Sequence, residues 1–458
     1  MTYCSLAPTL SLVLLSHSSS NYLSLYPYAR ARWGLTCPVY ATQPTVEMGR
    51  VVCLAEAESW RAECPVESED VAEDDGSKKP LKGPFVPTVE EVHEAFDWIK
   101  AVRYSQPLHL GGQYFKSLLR EASAYMLSCC SGDFSHLLLT PFASGHTLGG
   151  SLFKIRSPTS GTVLYAVGVN HTSERHLDGM VGVQNGPTGY ADGVLRPDLL
   201  IAEGGRSMVV NPKRKEREAA LIGTYKYYPT INYSECQLDT ITSTLESNHS
   251  VLLPVDPSPR LLELMILLDQ HWTFKRTPKV KQQRYNEPPA DLWPYPLCIV
   301  SKTAQDMVAF ARSLIDWMGG VVKDSAGDMV DVGRGKRARG ARMALGSEYG
   351  VLDFRHVLFF LNTTDLLQTY PLTRPKLVLA VPPTMSHGPS RFLFTAMANT
   401  EGNVIMLTGR SEEQTLARDL YNRWERSQTA GSKWGEGKIG HLTRLEGKLQ
   451  VEVSAIPV

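Results

Sequence analysis

No two of the eight cysteines form a C-x-x-C pair. Cys4, Cys37, Cys53, Cys64, Cys129, Cys130, Cys236 and Cys298 are scattered through 458 residues. That spacing argues against both a zinc ribbon and a disulfide framework, and it fits a reducing compartment, cytosol or nucleus. Net charge is missing too, because 47 acidic side chains cancel 47 basic ones. The whole chain is therefore neither a polybasic nucleic-acid binder nor an acidic tail, and a polyanion partner has to be met by a local patch. No run approaches the ~18 apolar residues of a membrane span. No Lys or Arg precedes Leu10-Ser-Leu-Val-Leu-Leu15, and the first basic residue is Arg30. This short run therefore reads as a β-strand over Thr9–Ser16 rather than a signal-peptide core.

What is present is a hydrophobic content of 43%, enough to bury real cores in about two to three domains. After the first strand, Tyr22–Trp33 can form a helix with Leu25, Tyr28 and Ala29 on one side, and Pro38–Thr42 forms a short strand. This is α/β grammar. From Glu56 to Pro87 the composition turns to Glu, Asp, Ser, Lys and Pro. Such a segment cannot bury enough apolar surface to order itself and reads as a solvated, disordered insertion. Thr88-x-x-Glu91 is a capping box opening a helix whose buried stripe is Val92, Ala95, Phe96 and Ile99.

The stretch Leu137–Gly179 holds three short apolar runs bounded by turn residues, Leu137–Thr140, Ser151–Ile155 and Thr162–Val167, with His146 in a loop between Gly145 and Gly149-Gly150. Those glycines allow positive φ and a close approach to a ligand. His146 is then either a metal ligand or a hydrogen-bonded core histidine. Pro197–Glu203 reads as a buried central strand ending on Glu203. This acid lies either at a site on the sheet's C-terminal edge or in a helix-capping loop.

Beyond Asn211, strands are expected at Ser250–Val255, Leu297–Ser301, His356–Leu361, Lys376–Val381 and Asn403–Thr408. Helices are expected at Pro259–His271, Ala304–Met318, Arg391–Ala398 and Glu412–Arg426. The near-continuous apolar strands imply a parallel sheet covered on both faces. Two irregular stretches interrupt this unit. Phe274–Trp293 carries Lys275, Arg276, Lys279, Lys281 and Arg284, and Gly333–Arg342 carries Arg334, Lys336, Arg337, Arg339 and Arg342. They are either RNA-contacting loops or ordinary solvated ones. No aromatic interleaves 333–342, which disfavours base stacking there.

The order and spacing of several pieces resemble the metallo-β-lactamase/β-CASP proteins of pre-mRNA 3′-end processing. They are Val13-Leu-Leu-Ser-His17, Pro38-Val-Tyr-Ala-Thr42, Gly145-His-Thr-Leu-Gly-Gly150, Tyr165-Ala-Val-Gly-Val-Asn-His171, His176-Leu-Asp-Gly179 and Arg196-Pro-Asp-Leu-Leu-Ile201. In the second half they are Pro254-Val-Asp-Pro-Ser-Pro-Arg-Leu-Leu-Glu-Leu264, Leu268-Asp-Gln-His-Trp272, Ser390-Arg-Phe-Leu-Phe394 and Thr415-Leu-Ala-Arg418. The resemblance implies an αββα sandwich over 1–210, a β-CASP α/β domain over 211–430 and a partial return segment over 431–458. On the family pattern, the sandwich is expected to be incomplete at both ends, without the first acidic motif and the late histidines. The resemblance further implies a nuclear, RNA-associated subunit. It would act on pre-mRNA with the related catalytic endonuclease subunit and other cleavage and polyadenylation factor subunits.

Active members of the family place a His-x-His-x-Asp-His run after the early strand, a His in the Gly-His loop and an Asp after the strand leading to Asn170-His171. With an acid and histidines of later motifs, these hold two zinc ions that activate the attacking hydroxide. Here the run falls on His17, Ser19, Asn21 and Tyr22. His146 fills the loop, Gly168 replaces the bridging Asp, and Glu203 matches the next acid. A catalytic zinc needs three protein ligands plus water, and a two-metal site needs more. The resemblance thus leads to a pseudo-nuclease with no catalytic residues and no zinc. A residually active zinc-dependent RNA hydrolase and a generic α/β interaction protein are the alternatives. Reversing Arg334, Lys336, Arg337 and Arg339 to Glu is expected to weaken RNA binding and flatten its dependence on salt, measured by filter binding across a salt series. Affinity unchanged at every salt concentration would make the stretch a solvated loop.

Overall fold

The computed structural model describes residues 3–23, 25–63, 86–110, 137–180, 194, 196–204, 221, 241–276, 293–319, 322 and 352–427. The first unit is built on two sheets. β1 (Val13–Leu14), β2 (Val39–Thr42) and β3 (Lys100–Val102) form a parallel three-stranded sheet. β4 (Leu108–His109), β5 (Leu138–Ala143), β6 (Ser151–Ser157), β7 (Gly161–Ala166) and β8 (Leu199–Ala202) pair in chain order, antiparallel up to β7 and parallel between β7 and β8. Tyr40 and Val102 of the first sheet pack with Leu139 and Phe153 of the second, which is the inner layer of a sandwich. On the far side of the first sheet, the helices Leu25–Arg32, Gln43–Glu63 and Val89–Asp97 bury Tyr26, Val46, Cys53 and Phe96. The last of these helices opens on the expected capping box. The Glu91 amide donates to Thr88 Oγ1 at 3.1 Å, and the Thr88 amide donates to Glu91 Oε2 at 2.8 Å.

The second unit is a five-stranded sheet of β9 (Val251–Pro254), β10 (Leu297–Val300), β11 (Val357–Phe360), β12 (Leu377–Ala380) and β13 (Val404–Ile405). Its order is β11-β10-β12-β9-β13 and every pair is parallel. All four residues of β9, β10 and β12 are buried, as strands covered on both faces must be. The helices Ile241–Glu246, Leu261–Arg276 and Ala304–Ser313 cover one face. Thr363–Thr369, Gly388–Met397 and Leu416–Ser427 cover the other. Met48, Val51, Leu148 and Leu177 of the first unit belong to the former core, so the two units share one apolar interior.

Three expectations need correction. Glu56–Glu63 are not part of a disordered insertion but the last turns of the helix Gln43–Glu63. Their acidic composition is overridden by tertiary cover, since Ala55 and Ala57 are buried and Trp60 stacks on His387 of the second unit. The remainder of that segment from residue 64 to 85 lies outside the described residues. Among the described residues β8 is an edge strand rather than a buried central one, with Leu199, Leu200 and Ile201 exposed at 53%, 55% and 44%. Phe274–Arg276 continue the helix that begins at Leu261, so Lys275 and Arg276 are helical rather than in a loop.

Leu379 has no exposed surface and sits in a strand paired on both sides. Leu379→Ala is expected to cost about 2–5 kcal/mol by leaving a cavity, and Thr88→Ala about 1 kcal/mol by removing a cap. The urea unfolding midpoint checks both.

Candidate functional site

Residues singled out by sequence, together with Ser144, lie where several strands end. His17 follows β1, Ser144 follows β5, Gly168 follows β7 and Glu203 follows β8. Gly145 and Gly149 do adopt positive φ, at 71° and 79°. The close approach they permit is to the chain itself. A Cβ on Gly145 would stand 2.5 Å from the Asn170 carbonyl oxygen and from the Met180 amide nitrogen, and one on Gly149 would stand 2.7 Å from Pro44.

His17 is fully buried and both ring nitrogens are engaged. Nε2 lies 3.0 Å from the Gly168 carbonyl oxygen and 3.0 Å from Ser144 Oγ, while Nδ1 lies 2.9 Å from Ser16 Oγ. A carbonyl oxygen can only accept, so Nε2 holds the proton, and the lone pair on Nδ1 is left to accept from the Ser16 hydroxyl. Burial, with a smaller contribution from the Arg260 charge, depresses the His17 pKa to about 4 despite the Gly168 carbonyl. The ring is therefore neutral at physiological pH. A neutral imidazole binds metal through its unprotonated nitrogen, and in His17 that nitrogen faces a serine.

His146 is held by Arg260, the residue just before the helix Leu261–Arg276. Arg260 Nη1 lies 3.0 Å from His146 Nδ1 and donates to the His146 carbonyl at 2.8 Å. A guanidinium only donates, so Nδ1 accepts and its lone pair is committed as well. Arg260 also brings a fixed positive charge, with Glu174 Oε1 at 3.5 Å from Nη2. No role was assigned to Arg260 from sequence. The one signal was its place within the Pro254–Leu264 piece.

The position at which the resemblance expects a bridging acid has no room for a side chain. Gly168 has φ of 65°, and a Cβ there would stand 2.8 Å from the Tyr22 hydroxyl and 2.9 Å from His17 Cε1. The Tyr22 ring lies 4.7 Å from the His17 ring, centroid to centroid. Burial, then the Glu203 charge, pushes the Tyr22 phenol up to about 12, so it stays protonated. Ser19 is buried, while Asn21 and Glu203 are exposed. The structure thus brings His17, Tyr22, His146 and Gly168 together and leaves Glu203 at the rim.

A second cluster was missed by sequence. Glu174, His176 and Glu263 present ligand-type atoms within 4.8 Å of one another. His176 Nδ1 lies 2.8 Å from Glu263 Oε2, and the Arg175 amide donates to Glu263 Oε1 at 3.1 Å and Oε2 at 2.9 Å. Burial pushes the Glu263 carboxyl up, but His176 and Arg175 outweigh it and hold it below the usual carboxylate range. With Arg175 beside Glu263 and Arg260 beside Glu174, the two acids already have cationic partners. The cluster is an ionic clasp between the units.

Of the basic positions, Lys275 pairs with Glu246 at 3.0 Å. Arg276 donates to the Trp293 carbonyl at 3.1 Å and lies 3.1 Å from His356 Nδ1. Both are tied within the second unit. Lys279, Lys281, Arg284, Arg334, Lys336, Arg337, Arg339 and Arg342 lie outside the described residues.

Gly168→Asp is expected to destabilise the fold by about 1–3 kcal/mol, since it forces a side chain into left-handed backbone and against His17 and Tyr22. Urea unfolding checks it. A midpoint equal to wild type would show that the space is open.

Residues 2–201 match the metallo-beta-lactamase superfamily domain, and residues 261–420 match the Beta-Casp domain. The chain is similar to cleavage factor two protein 2 of Schizosaccharomyces pombe, 29% identical over 91% of this chain and 41% of that protein. It is also similar to cleavage and polyadenylation specificity factor subunit 2 of Arabidopsis thaliana, 27% identical over 90% of this chain and 43% of that protein. Similarity to endoribonuclease ysh1 of Aspergillus fumigatus, at 27% identity, covers 68% of this chain and 30% of that protein. The chain spans about two fifths of the length of the first two relatives. With a two-sheet sandwich followed by a parallel α/β unit, and with both domains matched in that order, the chain carries a metallo-beta-lactamase superfamily domain followed by a Beta-Casp domain.

Proposed function

We propose that this chain is a non-catalytic, pseudo-nuclease subunit in mRNA cleavage and polyadenylation, acting in the nucleus on pre-mRNA 3′ ends. The observation behind this reading is the state of the two histidines. Both have their acceptor nitrogens occupied, His17 by Ser16 and His146 by Arg260. A two-zinc centre needs several deprotonated ligands and a bridging carboxylate. At the family's positions the described residues offer two engaged imidazoles, a protonated phenol, a glycine and an exposed glutamate. That set does not fit two zinc ions.

In this reading the chain uses its two units as a scaffold. One extends over 1–210, the other over 211–430, with a return segment over 431–458. The scaffold pairs with the related catalytic endonuclease subunit and other cleavage and polyadenylation subunits, and its basic stretches approach RNA. The names of the relatives support this placement, two of them being cleavage or polyadenylation factors and one an endoribonuclease.

Two arms test the proposal. Pull-down of the tagged chain from nuclear extract is expected to recover 3′-processing subunits, and recovery of none removes the scaffold reading. Purified chain with radiolabelled RNA is expected to give no cleavage above a buffer control. Cleavage that disappears in His146→Ala would establish instead a residually active zinc-dependent hydrolase.

A further inference from the structure

The two units meet at another polar locus, away from the degenerate ligand positions. β9 and β12 are neighbours, yet the helix after β9 covers one face of the sheet and the helix after β12 covers the other. Adjacent parallel strands whose connections leave to opposite faces open a crevice at their carboxyl ends, the place where open α/β sheets hold ligands. Here the helix Gln43–Glu63 of the first unit reaches that end of the sheet. Trp60 stacks on His387 at 4.2 Å, Glu56 Oε1 lies 3.7 Å from His387 Nε2, and Glu63 accepts from the Gly388 amide. Asp256 stands two residues past β9, within electrostatic reach of Glu56.

The charges around this contact are unbalanced. Glu56, Glu58 and Glu63 come from the helix, Asp256 from the end of β9 and Glu412 from the segment before the last helix. Three cations offset these five acids only in part: Lys302 pairs with Glu58 at 3.3 Å, Arg391 donates to the Ser386 carbonyl at 3.0 Å, and Arg260, held by His146, also acts on Asp256. His387 adds no compensating charge, because burial, helped by Arg391, depresses its pKa to about 4. A carboxylate partly buried at such an interface, with a second acid acting on it, ionises only at a cost.

We propose that Glu56 and Asp256 form a proton-linked latch between the two units. Docking of the helix Gln43–Glu63 on the carboxyl ends of β9 and β12 takes up a proton and weakens as pH rises towards neutrality. Burial, then the Asp256 charge, pushes Glu56 up from 4.5 to about 7. Burial pushes Asp256 up from 3.8 to about 6, against opposing contributions from Ser258 and Arg260. Separated units restore the ordinary values, so between about pH 4 and 7 the docked state holds more protons than the undocked one. The latch is therefore fully engaged below this window, loses strength across it and is flat above it.

The test is hydrogen exchange of the full chain at the helix Gln43–Glu63 and at Gly388, corrected for intrinsic rates, from pH 5.5 to 8. In wild type the opening constant is expected to rise with pH, by up to about tenfold per unit for one linked proton. Glu56→Gln keeps the shape without the charge and is expected to hold the low-pH protection throughout. Asp256→Asn serves the same comparison should Glu56→Gln not fold. A flat wild-type profile, or a variant that follows the wild-type slope, overturns the latch.

Discussion

A neutral imidazole has one lone pair, and the direction in which His17 points it shapes the whole strand-end region. Because Nε2–H donates to the Gly168 carbonyl and Nδ1 accepts from Ser16, the ring ties the end of β1, in the first sheet, to the end of β7, in the second. The same ring closes the space beside Gly168 and has the Tyr22 ring against it, tilted by 33°. A residue type suited to metal binding thus becomes a hydrogen-bonded bridge across the sandwich.

The second unit completes this arrangement. Arg260, at the start of a buried helix, reaches back to His146, while Glu263 one turn later engages Arg175 and His176. Met48, Val51, Leu148 and Leu177 meanwhile sink into the core of the parallel sheet. Apolar burial supplies the non-directional part of this docking and the arginines supply its register. The junction between the units is bridged by fixed ion pairs, Arg175 and His176 with Glu263 and Arg260 with Glu174.

Much of the architecture was readable because it rests on hydrophobic period. β9, β10 and β12 are continuous apolar runs, and only a doubly covered parallel sheet buries such runs at every position. The same rule misplaced β8, because Leu199-Leu200-Ile201 have the composition of a central strand while the topology puts them at an edge. The helix end at Glu56–Glu63 was hidden because its acids face a partner element that only the tertiary fold brings near. At the site, the departures from the family pattern that the resemblance implies, at Ser19, Asn21, Tyr22 and Gly168, are read one by one from the sequence. Which nitrogen of each histidine carries the proton depends on Ser16, the Gly168 carbonyl and Arg260, and that is information no spacing contains.

The account turns on whether those lone pairs can be recovered by a metal. Elemental analysis of the purified chain, dialysed after saturation with zinc, measures this directly. The account predicts that no zinc is retained in stoichiometric amount and that His146→Ala does not change the result. Retention of roughly two zinc ions per chain, lost in His146→Ala, is the signature of an intact binuclear site and would contradict it.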